Sequence, residues 1–227
     1  MEVWENHELG EYRMAQFRER ILNVRGDKIH ASDLDSPCPL ASGYRRFHPD
    51  PPPVPEISLL NFASGVMAEH WIFPELIEPK EKDGIIASPD YNDPVFNYGE
   101  FKSTTMKSSI FKPETSQKPW IYRIKTYCNV FEVREWNLEV LFWTGNYADI
   151  KKAYKPWTFR FTEAELAEHW VGALKRKAVL EEIFEAMKAG ECPPLEKMWL
   201  SSWVCRNCEF GHDICHFKNK KRDTNFI

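Results

Sequence analysis

The chain of 227 residues lacks the sequence features of membrane and secreted proteins. No apolar run reaches the roughly 18 residues that a membrane-spanning helix needs. Its first residues, MEVWENHELGEYRM, lack the basic and then apolar pattern of a signal peptide. We therefore expect a soluble, cytoplasmic protein without a membrane partner. Its six cysteines are then expected to be reduced thiols, metal ligands or catalytic groups and not disulfides.

The sequence also lacks an excess of positive charge and a GxxxxGK[ST] phosphate-binding loop. A net charge of −4 does not by itself predict a nucleic-acid partner, and without the loop the chain is not a P-loop helicase. Basic residues nevertheless concentrate in two stretches, 102–125 and KNKKR at 218–222. Taken alone, each stretch is interpreted as a solvated surface.

Two periodicities predict the secondary structure. The predicted elements are helices over 57–72 and 118–132 and strands over 136–144 and 157–161. A capping box of Thr162 and Glu165 predicts the start of a long helix, and Gly190 marks its end. The alternation of helices and strands predicts one α/β or α+β domain over 1–227, with helices packed on a sheet.

A possible catalytic group lies in the stretch SPDYNDPVFNYGEFKST, residues 88–104. We interpret it as two short strands joined by a turn, with Asp90 at the end of the first strand. Glu100 and Lys102 then share one face of the second strand, and Phe101 points to the other. Two carboxylates on adjacent strands can bind Mg²⁺ or Mn²⁺, and Lys102 can act on a water or a phosphate beside the ion. The alternative is a surface hairpin with an ordinary charge pair.

Two helices add candidates to this group. His70 ends the helix over 57–72 and is a plausible third ligand, although a lone histidine on an apolar helix is more often structural. Arg123 and Tyr127 are spaced i,i+4 and share a helix face. They could contact a phosphate and a base, or form an amphipathic helix with a half-buried tyrosine.

The cysteines suggest a second metal site. Cys205, Cys208 and Cys215 form a C-x2-C-x6-C pattern, which is typical of metal binding. The fourth ligand is Cys38 or one of two histidines, His212 and His216. Zinc and an iron–sulfur cluster both remain open from the spacing.

These pieces together resemble the PD-(D/E)xK nuclease superfamily. Pro89-Asp90 followed by Glu100-Phe101-Lys102 is similar to its signature. The segment from Gly65 to His70 resembles the histidine-bearing helix of the RecB-like branch, with one residue more between glycine and histidine. The segment from Arg123 to Tyr127 stands where that branch has Gln-x-x-x-Tyr, so that arginine replaces glutamine. One cysteine before the core and three after it resemble the iron–sulfur RecB-like nucleases of CRISPR adaptation and the AddB type.

The resemblance implies a mixed central sheet flanked by helices and a metal-dependent DNA nuclease, an exonuclease on single-stranded DNA or duplex ends. It implies Lys102, Asp90 and Glu100 as catalytic residues. The residues implied to hold Mg²⁺ or Mn²⁺ are His70, Asp90, Glu100 and the Phe101 carbonyl. Arg123 and Tyr127 would contact DNA.

The resemblance further implies a structural 4Fe-4S cluster, with zinc as the alternative. Segments 33–47 and 203–217 would form its site, with the ligands Cys38, Cys205, Cys208 and Cys215. Expected partners besides DNA are a helicase or an integrase, in CRISPR adaptation, phage recombination or repair. The competing function is a non-catalytic zinc or iron–sulfur DNA-binding module in a larger complex.

Overall fold

The computed structural model describes residues 26–48, 56–73, 77–116, 118–143 and 153–191, and the single positions 12, 15, 193, 208, 210 and 215. Cys205, His212, His216 and the basic stretch 218–222 lie outside the described residues. Among the helices that are described, none is both long and apolar enough to cross a membrane.

Helices and strands alternate along the described chain. In chain order they are β1 (Ile29–His30), α1 (Ala31–Leu34), α2 (Pro39–Phe47), α3 (Glu56–Ile72), β2 (Lys80–Lys82), β3 (Ile85–Ala87), β4 (Tyr91–Asp93), β5 (Asn97–Thr104), α4 (Pro113–Ser116), α5 (Lys118–Phe131), β6 (Glu135–Phe142), β7 (Tyr154–Arg160) and α6 (Glu163–Lys188). The two helices and two strands predicted from periodicity and the long helix predicted from its capping box are confirmed, with no boundary shifted by more than three residues.

The strands form two mixed sheets in the described part of the chain. The three-stranded sheet has the order β1-β3-β2, with β1 parallel and β2 antiparallel to β3. The four-stranded sheet has the order β4-β5-β6-β7, in which only β5 and β6 run parallel. The chain passes through α4 and α5 between these two strands, as a parallel connection requires. The α/β class is confirmed, although these strands divide into two sheets and do not form one central sheet.

The segment around Asp90 differs from its prediction. The apolar strand before it, β3, belongs to the three-stranded sheet, and the partner of β5 is β4. Asp90 therefore lies between two strands and does not end one that pairs with β5. Pro89 explains the break, because it has no backbone N–H to donate and it restricts the residue before it.

The first core packs α5 against the four-stranded sheet. Trp136, Leu138, Val140 and Phe142 alternate along β6 and are all at most 2% exposed. They face the buried side of α5 in one hydrophobic cluster. Burial of every second side chain explains the sequence alternation that predicted this strand.

The second core packs α6 against α2. Thr162 and Glu165 form the predicted capping box at the start of α6. The two helices approach closely at Gly43, where a Cβ atom would lie 2.4 Å from the Met187 sulfur. Cys38, at the start of α2, is buried in this cluster, and Phe210 packs there from the C-terminal part of the chain.

Candidate active site

Three oxygen atoms converge on the ammonium group of Lys102. Its Nζ lies 3.6 Å from Asp90 Oδ2 and donates a hydrogen bond of 2.9 Å to the Phe101 carbonyl. It also forms an ion pair with Glu100 Oε1. The three groups that the sequence predicted as metal ligands on the hairpin therefore surround one positive charge.

The edge of β5 positions Asp90. Strand β4 pairs with β5 only as far as Tyr91, which lies opposite Gly99. Beyond that pair, Asp90 Oδ2 accepts a hydrogen bond from the Phe101 N–H at 2.6 Å. The side chain thus takes the place of the backbone acceptor that a longer β4 would supply. Gly99 leaves room for the ring of Tyr91, which a Cβ atom at this position would overlap.

Glu100 has a second cationic partner from α5. Arg123 Nη1 lies 3.2 Å from Glu100 Oε1, while its Nε and Nη2 lie 2.7 and 3.1 Å from the carboxylate of Asp35. Asp35 follows α1 directly and is 7% exposed. It was not among the sequence-predicted site residues, because it is 88 positions from Arg123 and belongs to no motif of the chain.

Neighbouring charges separate the protonation states of the two hairpin carboxylates. Burial would raise the pKa of Glu100, but Lys102 and then Arg123 outweigh it, and the pKa is lowered. Burial, and after it the charge of Glu100, raises the pKa of Asp90 to about 8. In this arrangement burial and the charge of Glu100 favour the neutral form of Asp90, while Lys102 and Arg123 favour the charged form of Glu100.

The site has the donor chemistry of a hard divalent cation. Glu100 Oε2 is buried without a hydrogen-bond partner, and an unpaired buried oxygen is costly unless a cation or donor meets it. As the described side chains stand, no three of the His, Cys, Asp and Glu type are grouped to hold a metal ion. The Lys102 ammonium lies among the carboxylate oxygens instead. A cation could bind here if Lys102 moved aside.

The end of α3 brings a further carboxylate towards the site. Glu69 is half-buried, and burial raises its pKa, while the charge of Lys102 lowers it and that of Glu100 raises it. His70 is exposed and acts on Glu69 by charge. Glu69 stands one residue closer to Gly65, which is the shorter spacing of the resembled motif. Metal binding by His70 stays a prediction. Glu69 is a second candidate metal ligand, which the sequence analysis did not predict.

The predicted DNA contacts at α5 lie deeper than expected. Tyr127 is 5% exposed, and its ring packs 5.2 Å from that of Trp136. Burial raises its pKa well above the ordinary value. Arg123 points to two carboxylates. Contact of these two residues with DNA stays a prediction.

Three of the predicted cluster ligands lie near one another. Cys38 is buried at the start of α2, with Cys208 and Cys215 packed against the same core. Burial, with small contributions from Cys208 and Cys215, raises the pKa of Cys38 to about 11. Cys215 is held by its N–H, which donates to the Phe210 carbonyl at 2.9 Å. The donors are soft thiols, which suit an iron–sulfur cluster or zinc. Among the residues that the structure describes, which exclude Cys205, no group of three potential ligands is arranged to hold a metal ion.

The comparisons with known proteins show a fold and no family. Neither a known protein family nor a curated protein matches the sequence. The crystal structure of SSO0001 matches with a TM-score of 0.50 at 14% identity, over 93% of this chain and 97% of that one. At that identity, the likeness shows the fold alone.

Two solved exonucleases are more distant. The alkaline exonuclease LHK-Exo from Laribacter hongkongensis has a TM-score of 0.48 at 13% identity, over 78% of this chain and 97% of that one. The phage-related exonuclease from Haemophilus somnus 129PT has a TM-score of 0.37 at 9% identity, over 84% of this chain and 91% of that one. Neither likeness is strong enough to carry an argument about activity.

Proposed function

We propose that this chain is a divalent-metal-dependent deoxyribonuclease of the PD-(D/E)xK type. The observation that carries the proposal is the convergence of Asp90 Oδ2, Glu100 Oε1 and the Phe101 carbonyl on the Lys102 ammonium. Oxygen donors that already surround one cation are suited to Mg²⁺ or Mn²⁺. The unpaired Glu100 Oε2 offers one more donor.

The residues of the chain divide the work between binding and proton transfer. Asp90, Glu100 and the Phe101 carbonyl would hold the ion, with His70 or Glu69 completing the set. When bound, Mg²⁺ or Mn²⁺ supplies an acidified water and a positive contact for the phosphate. Lys102 would then position that water and accept its proton.

Lys102 would become a base only when a bound cation changes the charges around it. Burial alone would lower its pKa, but Glu100 and then Asp90 raise it above the ordinary value. If a cation neutralises both carboxylates, the effect of burial remains and the pKa of Lys102 falls. A lysine with a lowered pKa can accept a proton near neutral pH.

The proposed substrate is DNA, as single strands or duplex ends that an exonuclease shortens. Six lysine and arginine residues against one acid in 102–125 support a local contact with a polyanion despite the net charge of −4. Lys112 and Lys118 of this stretch are exposed. A helicase or integrase partner, a cytoplasmic setting, and a role in CRISPR adaptation, phage recombination or repair belong to the same proposal.

The proposed second cofactor is a structural 4Fe-4S cluster on Cys38, Cys205, Cys208 and Cys215, with zinc as the alternative. The proximity of Cys38 to two of the C-terminal cysteines supports it. A metal shared between distant segments would add to the stability of the fold. Protein purified without oxygen should contain iron and absorb near about 400 nm if the ligands bind a cluster, as expected for iron–sulfur chemistry. Zinc without iron would establish the alternative.

The nuclease activity is tested on DNA labelled at the 5′ or the 3′ end, single-stranded and duplex, with Mn²⁺ or with EDTA. Loss of a general base typically costs about 10²–10⁴-fold in rate, so Lys102→Ala should lose at least about 100-fold. Lys188→Ala is the matched control, because this lysine at the end of α6 also forms ion pairs with two carboxylates, those of Asp27 and Glu185. Binding of DNA without any cleavage would instead support the non-catalytic module.

A further inference from the structure

We propose that Asp35 and Arg123 form a positioning pair that fixes the carboxylate of Glu100, and that Arg123 does not contact DNA. The inference rests on the proposed function, because it gives the pair its role through a metal ligand. Asp35 lies outside every motif of the sequence, and Arg123 replaces the glutamine of the resembled motif.

The contacts of Arg123 occupy all three of its guanidinium nitrogens. Nε and Nη2 meet the two oxygens of Asp35 at 2.7 and 3.1 Å, and Nη1 meets Glu100 Oε1 at 3.2 Å. Such a fork joins both carboxylates to one rigid, planar guanidinium, and only arginine has this geometry. The position of α1 is thereby transmitted to the strand that carries Glu100.

Burial keeps Arg123 in this arrangement. The side chain of Asp35 is 4% exposed and that of Glu100 is 2% exposed, against 22% for Arg123. If Arg123 turned towards a phosphate, Asp35 would be left as a buried and uncompensated charge, which is strongly unfavourable. Asp35 and Arg123 together carry no net charge, as an uncharged glutamine would. They therefore add a rigid support without adding positive charge beside the metal ligands.

The pair determines which oxygen of Glu100 is available. Arg123 and Lys102 both contact Oε1, while Oε2 has no hydrogen-bond partner. With Oε1 held from two sides, the carboxylate cannot rotate freely about its last bond. Oε2 is thus fixed in place before a cation arrives.

The test uses the full chain and four variants: Asp35→Asn, Arg123→Gln, Arg123→Lys and the double variant D35N/R123Q. Mn²⁺ binding is measured calorimetrically without DNA, and kcat and KM are measured on end-labelled DNA. Residues that orient a metal ligand typically contribute about 10–100-fold to affinity or activity. We expect that loss in Mn²⁺ affinity and in kcat for Asp35→Asn, with an unchanged KM for DNA.

The other variants separate positioning from a merely structural role. Arg123→Lys should also lose Mn²⁺ affinity, because an ammonium cannot bind two carboxylates as a fork. This variant keeps a positive charge beside Asp35, so Asp35 is not left uncompensated. The double variant should bind Mn²⁺ more tightly than Arg123→Gln alone, because it removes that buried charge. Arg160→Gln is the control, since Arg160 forms an ion pair with Glu135 between β7 and β6 and contacts neither α1 nor Glu100 in that pair. It should leave both the Mn²⁺ affinity and kcat unchanged.

Two results would overturn the positioning pair while the nuclease proposal stands. One is a raised KM for DNA with unchanged Mn²⁺ affinity in Arg123→Gln, which indicates a phosphate contact. The other is wild-type behaviour of both Asp35→Asn and Arg123→Lys. If the wild-type chain itself neither binds Mn²⁺ nor cuts DNA, the proposed function fails, and the role of the pair fails with it.

Discussion

Replacing Asp90 by asparagine should stabilise the fold when no divalent cation is present. Asparagine keeps an oxygen for the Phe101 N–H, which Asp90 accepts at 2.6 Å. It removes a carboxyl group whose charged form is disfavoured, because burial and then Glu100 raise the pKa of Asp90 to about 8 from 3.8. The variant thus removes a carboxyl group whose charged form burial disfavours, without losing the hydrogen bond.

The sign and size of the effect follow from proton linkage. A carboxyl group with a raised pKa in the folded state favours folding when protonated, so its contribution weakens as pH rises from about 4 to about 8. One pKa unit corresponds to about 1.4 kcal/mol, which gives an upper limit of about 4 kcal/mol at pH 7. Allowing for relaxation and the 15% exposure of the side chain, we expect about 1–3 kcal/mol.

The assay is urea unfolding in EDTA at pH 5.5, 7 and 8.5. The stability difference between Asp90→Asn and the wild type should grow across this series. Asp27→Asn controls for the loss of one negative charge, because the Asp27 side chain is 71% exposed. Adding Mn²⁺ should stabilise the wild type and not Asp90→Asn. An equal difference at pH 5.5 and 8.5, or a wild type that is the more stable at pH 8.5, would refute the reasoning.

Further predictions concern the proposed ligands of the two metal sites that lie near those sites without a direct contact in the structure. Glu69→Gln should weaken Mn²⁺ binding more than His70→Ala, because Glu69 interacts with Lys102 and Glu100 while His70 is exposed. Calorimetry measures both affinities, and a larger loss in His70→Ala would make His70 the metal ligand. Cys208→Ser should lose bound iron and melt several degrees lower, on the order expected for about 1 kcal/mol or more, while wild-type iron content in this variant would exclude Cys208 as a ligand.

Local sequence signals predicted the elements that depend on local physics. The alternation of Trp136, Leu138 and Val140 marks β6, because each of these side chains is fully buried on one face of the strand. Thr162 and Glu165 marked the start of α6 through hydrogen bonds within one turn. Neither feature depends on distant parts of the chain.

Contacts between distant segments were beyond such signals. The carboxylate of Asp35 reaches Arg123 across 88 positions, and nothing near Asp35 in the sequence indicates this. The assignment of β3 and β4 to different sheets depends on pairing partners, which periodicity does not specify. The spacing of Glu100 and Lys102 did predict their shared face, since that requires only the alternation of a strand.

The most direct test of the account compares Mn²⁺ binding and DNA cleavage in Lys102→Ala and Asp90→Ala. Lys102→Ala removes the ammonium from among the three oxygens, so we expect it to bind Mn²⁺ at least as tightly as the wild type and to cut at least about 100-fold more slowly. Asp90→Ala should lose both properties. Cleavage by Lys102→Ala at the wild-type rate, or undiminished Mn²⁺ binding by Asp90→Ala, would contradict the account.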